Sequence, residues 1–221
     1  MNPKLIIFDC DGVLVDSEIV VHRIASKEMS HLGFPLTVDK SIEIFTGAAD
    51  EDLIGIIRRE YGKDIADDDF RCVLSKIKEG FKKDLEPIEG MSRFIKHLDQ
   101  NQIEKCVASN SVYEELINTL TGAGLKNHFD ENKIFSVSMV KAGKPKPDLF
   151  LHVADKMKIL PKDSVVIEDS VVGITAAKAA KMPVIGFLGG THAKNPWYVD
   201  SIVKAKPDVV VDNAFELLNI L

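Results

Sequence analysis

The sequence predicts an α/β fold, a doubly wound parallel sheet flanked by helices, with a helical cap inserted after the first strand. Three observations carry that prediction. Short apolar runs rich in Val and Ile recur at 4–9 (KLIIFD), 105–109 (KCVAS), 164–168 (SVVIE), 183–187 (PVIGF) and 208–212 (DVVVD), with a weaker one at 133–139 (KIFSVSM). Helical patterns separate these runs. Residues 17 to about 87 contain no convincing strand.

Each element has its own reason. A run that is apolar at every position reads as a strand buried on both faces, as in a parallel sheet. The segments 90–101, 112–123, 148–157 and 171–181 between them read as helices. Regular alternation of the two gives a Rossmann-like, doubly wound architecture. Between the first and second strands, helices are expected at 17–32, 38–45, 50–61 and 67–84. Gly33, Gly47 and Gly62 punctuate them, and Pro35 and Pro87 lie near their boundaries. The expected organisation is a catalytic core formed by residues 1–15 and 88–221 and a cap formed by residues 16–87. There is no internal repeat and no low-complexity segment.

Composition narrows the function classes. At 221 residues, 45% hydrophobic and 28% charged, the chain is long enough for one large domain or a domain with an insertion. No apolar run approaches the roughly 20 residues of a membrane span. The first apolar run is cut by Asp9 and does not resemble a signal peptide. A cytoplasmic, monomeric protein with no membrane partner is expected. Cys10, Cys72 and Cys106 are too few and too scattered for a disulfide framework or a zinc site. A formal charge of −6 without any basic block excludes a nucleic-acid partner. An anionic substrate would therefore need a local cation.

The polar residues collect where strands end. Asp9 and Asp11 close the first run, Ser109 closes the second, Lys144 follows the third, and Glu168 and Asp169 close the fourth. In an open parallel sheet the carboxyl ends of strands share one edge, where ligands bind. Side chains alternate along a strand, so Asp9 and Asp11 point one way and Cys10 the other. Adjacent carboxylates repel unless a positive group lies between them. A hard divalent cation with oxygen ligands relieves that repulsion, and Mg²⁺ is the natural candidate for Asp9, Asp11, Glu168 and Asp169. A carboxylate beside such an ion can attack phosphorus. Ser111 and Glu114 form a Ser-x-x-Glu pattern expected to cap the next helix, placing Ser109 just ahead of its N-terminus. Lys144 and Lys146 precede prolines, which stiffen that segment.

These residues resemble the haloacid dehalogenase superfamily, in its phosphatase and phosphomutase branch. Its D-x-D-G-[TV] motif stands here as DCDGV, its Ser or Thr as Ser109 in ASNS, its Lys in KPKPD, and its acid pair in EDSVVG. The resemblance covers essentially the whole chain, inserted cap included. It implies that Asp9 attacks phosphorus, that Asp11 protonates the leaving oxygen and then activates water, and that Ser109, Asn110 and Lys144 bind the phosphoryl group. It also implies Mg²⁺ held by Asp9, the backbone carbonyl of Asp11, and Asp169, with Glu168 assisting. Lys144 is preferred to Lys146 by motif position. Relatives of the β-phosphoglucomutase type carry a cap His where Val21 stands here, beside His22, and an Arg in the loop that reads TGAADED here. Those departures count against a phosphomutase, while FDCDGVLVDSE together with LEPIEGM resembles bacterial sugar-phosphate phosphatases, which implies a small phosphate ester as partner. A phosphomutase or a non-catalytic phosphometabolite-binding protein are the alternatives.

Several residues have plainer readings. Asp169 or Ser170 can cap the following helix. Glu168 can be a ligand or only a neighbouring charge. Cys10 reads as a packed thiol and the six histidines as surface or structural residues. Acids at DEDL and ADDD suit helix starts. Trp197 is expected in a loop, and Arg23, Lys76 and Lys78 as solvated helix residues rather than contacts for a substrate's distal charge.

Overall fold

The sheet begins with β1 (Leu5–Phe8), four residues that are wholly buried. It is completed by β2 (Glu104–Ser109), β3 (Ile134–Ser136), β4 (Ser164–Glu168), β5 (Val184–Phe187) and β6 (Val209–Val211). The computed structural model describes residues 3–46, 52–80 and 85–221. All the pairings are parallel, in the order β3-β2-β1-β4-β5-β6. The chain winds outward in one direction from β1 and in the other from β4. The reversal falls between β1 and β4, where a crevice opens at the carboxyl ends.

Burial on both faces explains the apolar run of β1, but not that of β6, an edge strand whose Val210 is exposed. Ile6 and Phe8 face a core shared with α5 (Met91–Gln100), α6 (Tyr113–Gly122) and α10 (Ala214–Ile220). Leu5 and Ile7 face the opposite core, shared with α7 (Asp148–Met157), α8 (Val171–Ala179) and α9 (Pro196–Ala205). Phe8 meets Phe94 and Phe129 edge to face, with centroids 5.9 and 6.2 Å apart. Burying each such side chain contributes roughly 1.5–3 kcal/mol, before the entropy of ordering it is counted. Cys10 packs on the Phe8 side of the sheet.

The expected elements differ from the observed ones mainly at their ends. The weak run at 133–139 is a strand only to Ser136. Residues 137–139 then form a 3₁₀ turn, because the Ser136 hydroxyl accepts from the Ser138 amide at 3.1 Å and turns the chain. Trp197 lies in the first turn of α9 and not in a loop, since Pro196 occupies the first helical position.

Between β1 and β2 lie α1 (Ser17–His31), α2 (Val38–Phe45), α3 (Leu53–Tyr61) and α4 (Asp67–Gly80). Residues 50–51 and 81–84 of the expected helices, and most of the TGAADED loop, lie outside the described residues. The four helices surround their own apolar cluster, which includes Ala25, Met29, Phe34, Ile57 and Val73. Asp67, Asp68 and Asp69 occupy the first turn of α4, where acids complement the helix dipole. Two short connections join this unit to the sheet. They run side by side: the Asp16 amide donates to Glu86 O at 3.2 Å and the Ile88 amide to Leu14 O at 3.0 Å. Among the described residues no helix is long and apolar enough to cross a membrane.

Candidate active site

The site is built where β1 and β4 end. The Asp9 amide still follows the sheet, donating to Ile167 O at 3.0 Å, and this fixes Asp9 beside the end of β4. After it the chain turns sharply, with the Gly12 amide on Val15 O at 2.8 Å. Gly12 has φ +77°, and a Cβ there would lie 2.0 Å from Asp169 Oδ2. The turn therefore needs glycine both for its left-handed backbone and for the room that Asp169 occupies.

Lys144 joins the two strand ends. Its Nζ donates to Asp9 Oδ1 at 2.6 Å and to Glu168 Oε1 at 2.5 Å. Glu168 is fully buried, and its other oxygen accepts from the Ser170 amide at 3.2 Å and the Ser170 hydroxyl at 2.9 Å. Ser170 also caps α8, accepting from the Gly173 amide at 3.0 Å, so Asp169 is left free of that task. Helix α8 can approach this closely only because Gly173 has no side chain: a Cβ would lie 1.8 Å from the Glu168 carboxylate carbon.

The placement of Lys144 is itself determined by Asn110. The Asn110 side chain accepts from the Lys144 amide at 2.9 Å and donates to the Lys144 carbonyl at 3.0 Å. Expected as a substrate contact, Asn110 has its side-chain amide engaged on both sides by the Lys144 backbone. Ser109 is buried, and its hydroxyl accepts from the Ser111 amide at 3.1 Å. Ser111 does not cap α6. Val112 is the N-cap residue and provides no side-chain acceptor. The Ser111 carbonyl instead accepts from the Ser136 hydroxyl at 2.7 Å, which holds Ser111 one residue outside the helix.

Asp9, Asp11, Ser109, Lys144 and Glu168 line one open cavity of about 490 Å³, with Glu115 at its wall. Ligand oxygens of Asp9, Glu168 and Asp169 all lie within 4.8 Å of one another. The Asp11 carboxyl stands outside that group. The three clustered groups are hard oxygen donors, buried or nearly so, and they fit a divalent cation.

Electrostatics records the crowding. Burial, with Glu168 and Asp169 nearby, pushes the Asp9 carboxyl well above the ordinary range, against the pull of Lys144. Asp169 is raised by burial and Glu168, and His192 opposes the shift. Burial also raises Asp11, helped by Glu18, while Ser17 and Ser111 restrain it. A raised carboxyl can hold a proton closer to neutral pH, as a general acid must. Burial disfavours the charged form of Lys144, but Asp9 and Glu168 outweigh it and hold the ammonium on.

Sequence reasoning missed one participant. His192 is buried, and its Nε2 lies 2.9 Å from Asp169 Oδ2. Burial alone would lower its pKa, but Asp169, with Glu18 and Asp16, raises it overall. The neighbouring Thr191 donates its amide and hydroxyl to Asp16 Oδ2 at 3.1 and 2.6 Å, tying the end of β5 to the start of α1. Its signal in the sequence is positional: Thr191 and His192 directly follow Gly189 and Gly190, just past the fifth apolar run.

Other candidates are dispersed. Lys76 pairs with Glu28 on the outer surface, and Arg23 is exposed. The Lys78 side chain lies outside what is described. His22 is buried between α1 and α2, with Nδ1 2.9 Å from Ser41 Oγ and Nε2 3.5 Å from Glu18 Oε2. That contact holds the Glu18 carboxyl below its ordinary value.

Comparison with known proteins agrees with this geometry. A family described as haloacid dehalogenase-like hydrolase matches residues 6–187. The 6-phosphogluconate phosphatase of Escherichia coli (strain K12) is 27% identical over 192 residues, covering 86% of this chain and 85% of that protein. A phosphorylated carbohydrates phosphatase of Thermotoga maritima is 27% identical over 219 residues, covering 97% of this chain and all of that one. Among solved structures, a hydrolase of the same family from Deinococcus radiodurans R1, with bound phosphate and sodium, superposes with a TM-score of 0.85. It shares 27% identity and covers 98% of this chain and 93% of its own.

Proposed function

The chain belongs to the haloacid dehalogenase-like hydrolase family, and we propose that it is a Mg²⁺-dependent phosphatase of small phosphorylated carbohydrates. The observation that carries this reading is the juxtaposition of Asp9, Lys144 and Glu168 at the β1/β4 crevice. The named activities of the two phosphatase relatives support the substrate class.

In this reading the Asp9 carboxylate attacks phosphorus and forms a P–O bond. The ester P–O bond breaks on the opposite side, and the leaving oxygen takes a proton from Asp11. Water then attacks the aspartyl-phosphate, gives its proton to Asp11, and releases inorganic phosphate and free Asp9. Lys144, held at both ends of its peptide by Asn110, neutralises the phosphoryl oxygens, and Ser109 contributes a hydroxyl. Asp9, Asp169 and the backbone of Asp11 would hold the Mg²⁺, with Glu168 beside them. When bound, the ion would neutralise charge on the phosphoryl group and on Asp9. Residues 16–87 act as a cap that excludes water and selects the leaving group.

The test is phosphate release from a panel of sugar phosphates, 6-phosphogluconate included, with Mg²⁺, with chelator, and with Asp9→Asn. Release that disappears with either chelator or Asp9→Asn, by at least about 10³-fold for the variant, is the expected result. Release that survives Asp9→Asn would refute the nucleophile. A rate that requires a bisphosphate primer and returns phosphate to the sugar would make the protein a phosphomutase.

A further inference from the structure

We propose that His192 is a positioning residue that holds Asp169 in place to receive the divalent cation, so that the end of β5 helps to build the metal site. The inference rests on the metal-dependent reading above.

Nothing in the catalytic steps uses His192, yet its surroundings are built around it. The ring is only 4% exposed. Its Nε2 lies 2.9 Å from Asp169 Oδ2, an ion-pair distance, and neither ring nitrogen has an aligned hydrogen-bond partner among the described residues. Leaving a buried ring nitrogen unpaired is costly, so the site keeps this imidazole despite an expense that an apolar residue would avoid. Two glycines make room for it. A Cβ at Gly12 would lie 2.7 Å from Cε1, and a Cβ at Gly190 would lie 2.4 Å from the same atom. Tyr198 closes another side, edge to face at 4.6 Å between centroids. Thr191 anchors the adjacent backbone to Asp16. A ring confined in this way directs one nitrogen at one carboxylate oxygen. Asp169 is thus drawn to a single orientation, with its other oxygen left for a ligand. Partners that orient a metal-binding carboxylate in this manner commonly change metal affinity 10–100-fold when removed.

The experiment is calorimetric titration of Mg²⁺ into the full-length wild type, His192→Ala and His192→Phe, without substrate, alongside thermal unfolding of each metal-free protein. His192→Phe keeps an aromatic ring against Tyr198 while removing both nitrogens, and it carries the test if the alanine variant does not fold. The expected result is Mg²⁺ binding weakened about tenfold or more in both variants, with the metal-free melting temperature of His192→Phe near that of wild type. Folded variants that bind Mg²⁺ within about twofold of wild type would overturn the role of His192 and leave the phosphatase reading intact. Wild-type protein that binds no Mg²⁺ would instead overturn the metal-dependent reading itself, and this proposal with it.

Discussion

The end of the sheet and the inserted helices are held together by different physics. At the sheet end, charged groups are buried and joined across long stretches of chain: Lys144 reaches Asp9, 135 residues away, and Glu168 is fully buried. In the inserted unit the charges lie outside. Lys40–Glu60, Arg58–Asp64, Arg71–Asp68 and Lys76–Glu28 are surface pairs, which solvent screens. Its stability comes from apolar contacts around Met29, Ile57 and Val73. Breaking one partner of a buried charge pair leaves the other unpaired in a medium that solvates it poorly, so the sheet end tolerates little change. An apolar cluster accepts many sequences of similar volume. On the proposed reading, the rigid region carries the reaction and the inserted one meets the leaving group.

Gly173→Ala tests the tightest point of that contrast. The new methyl would overlap the Glu168 carboxylate, so Glu168 must move and release Lys144. A displacement of the order of 1 Å at such a site costs about 100-fold in rate. Steady-state phosphate release should fall by at least that factor. Wild-type kinetics in this variant would show that the buried charges adapt and are less rigid than the contacts imply.

Ile57→Ala probes the other region. Emptying a buried position in a small cluster should cost about 2–5 kcal/mol. Hydrogen exchange should accelerate in α1–α4 and little in β1 or β4. Hydrolysis of a minimal ester such as p-nitrophenyl phosphate should change less than hydrolysis of the preferred sugar phosphate. Equal acceleration of exchange in the sheet would mean that the two regions unfold as one unit and that the comparison fails.

The smallest effect is a labelling pattern. Burial raises the pKa of Cys10 and Cys106, so both remain protonated at about pH 8.5, where a free thiol is half ionised. Cys72 is exposed on α4. Alkylation at that pH should modify Cys72 alone in the native protein and all three thiols in denaturant. Native labelling of Cys10 would indicate that the loop after β1 opens.

The sheet and the edge where the polar residues meet can be read from the residues alone. A strand covered on both faces must be apolar at every position, so β1, β2, β4 and β5 are legible without neighbours, and the polar residues just beyond them fall at one edge. The short β3 was legible only in part, because the Ser136 hydroxyl bends the chain away from the sheet. Which polar atoms pair was settled by the packing of the elements. Asn110 clamps the Lys144 backbone, Ser111 stands outside α6 because Ser136 takes its carbonyl, and His192 crosses from β5 to Asp169. Such contacts depend on distances between strands and on the room left by Gly12 and Gly173. No local periodicity encodes them, since each partner lies on a different element and its spacing along the chain is set by intervening loops and helices.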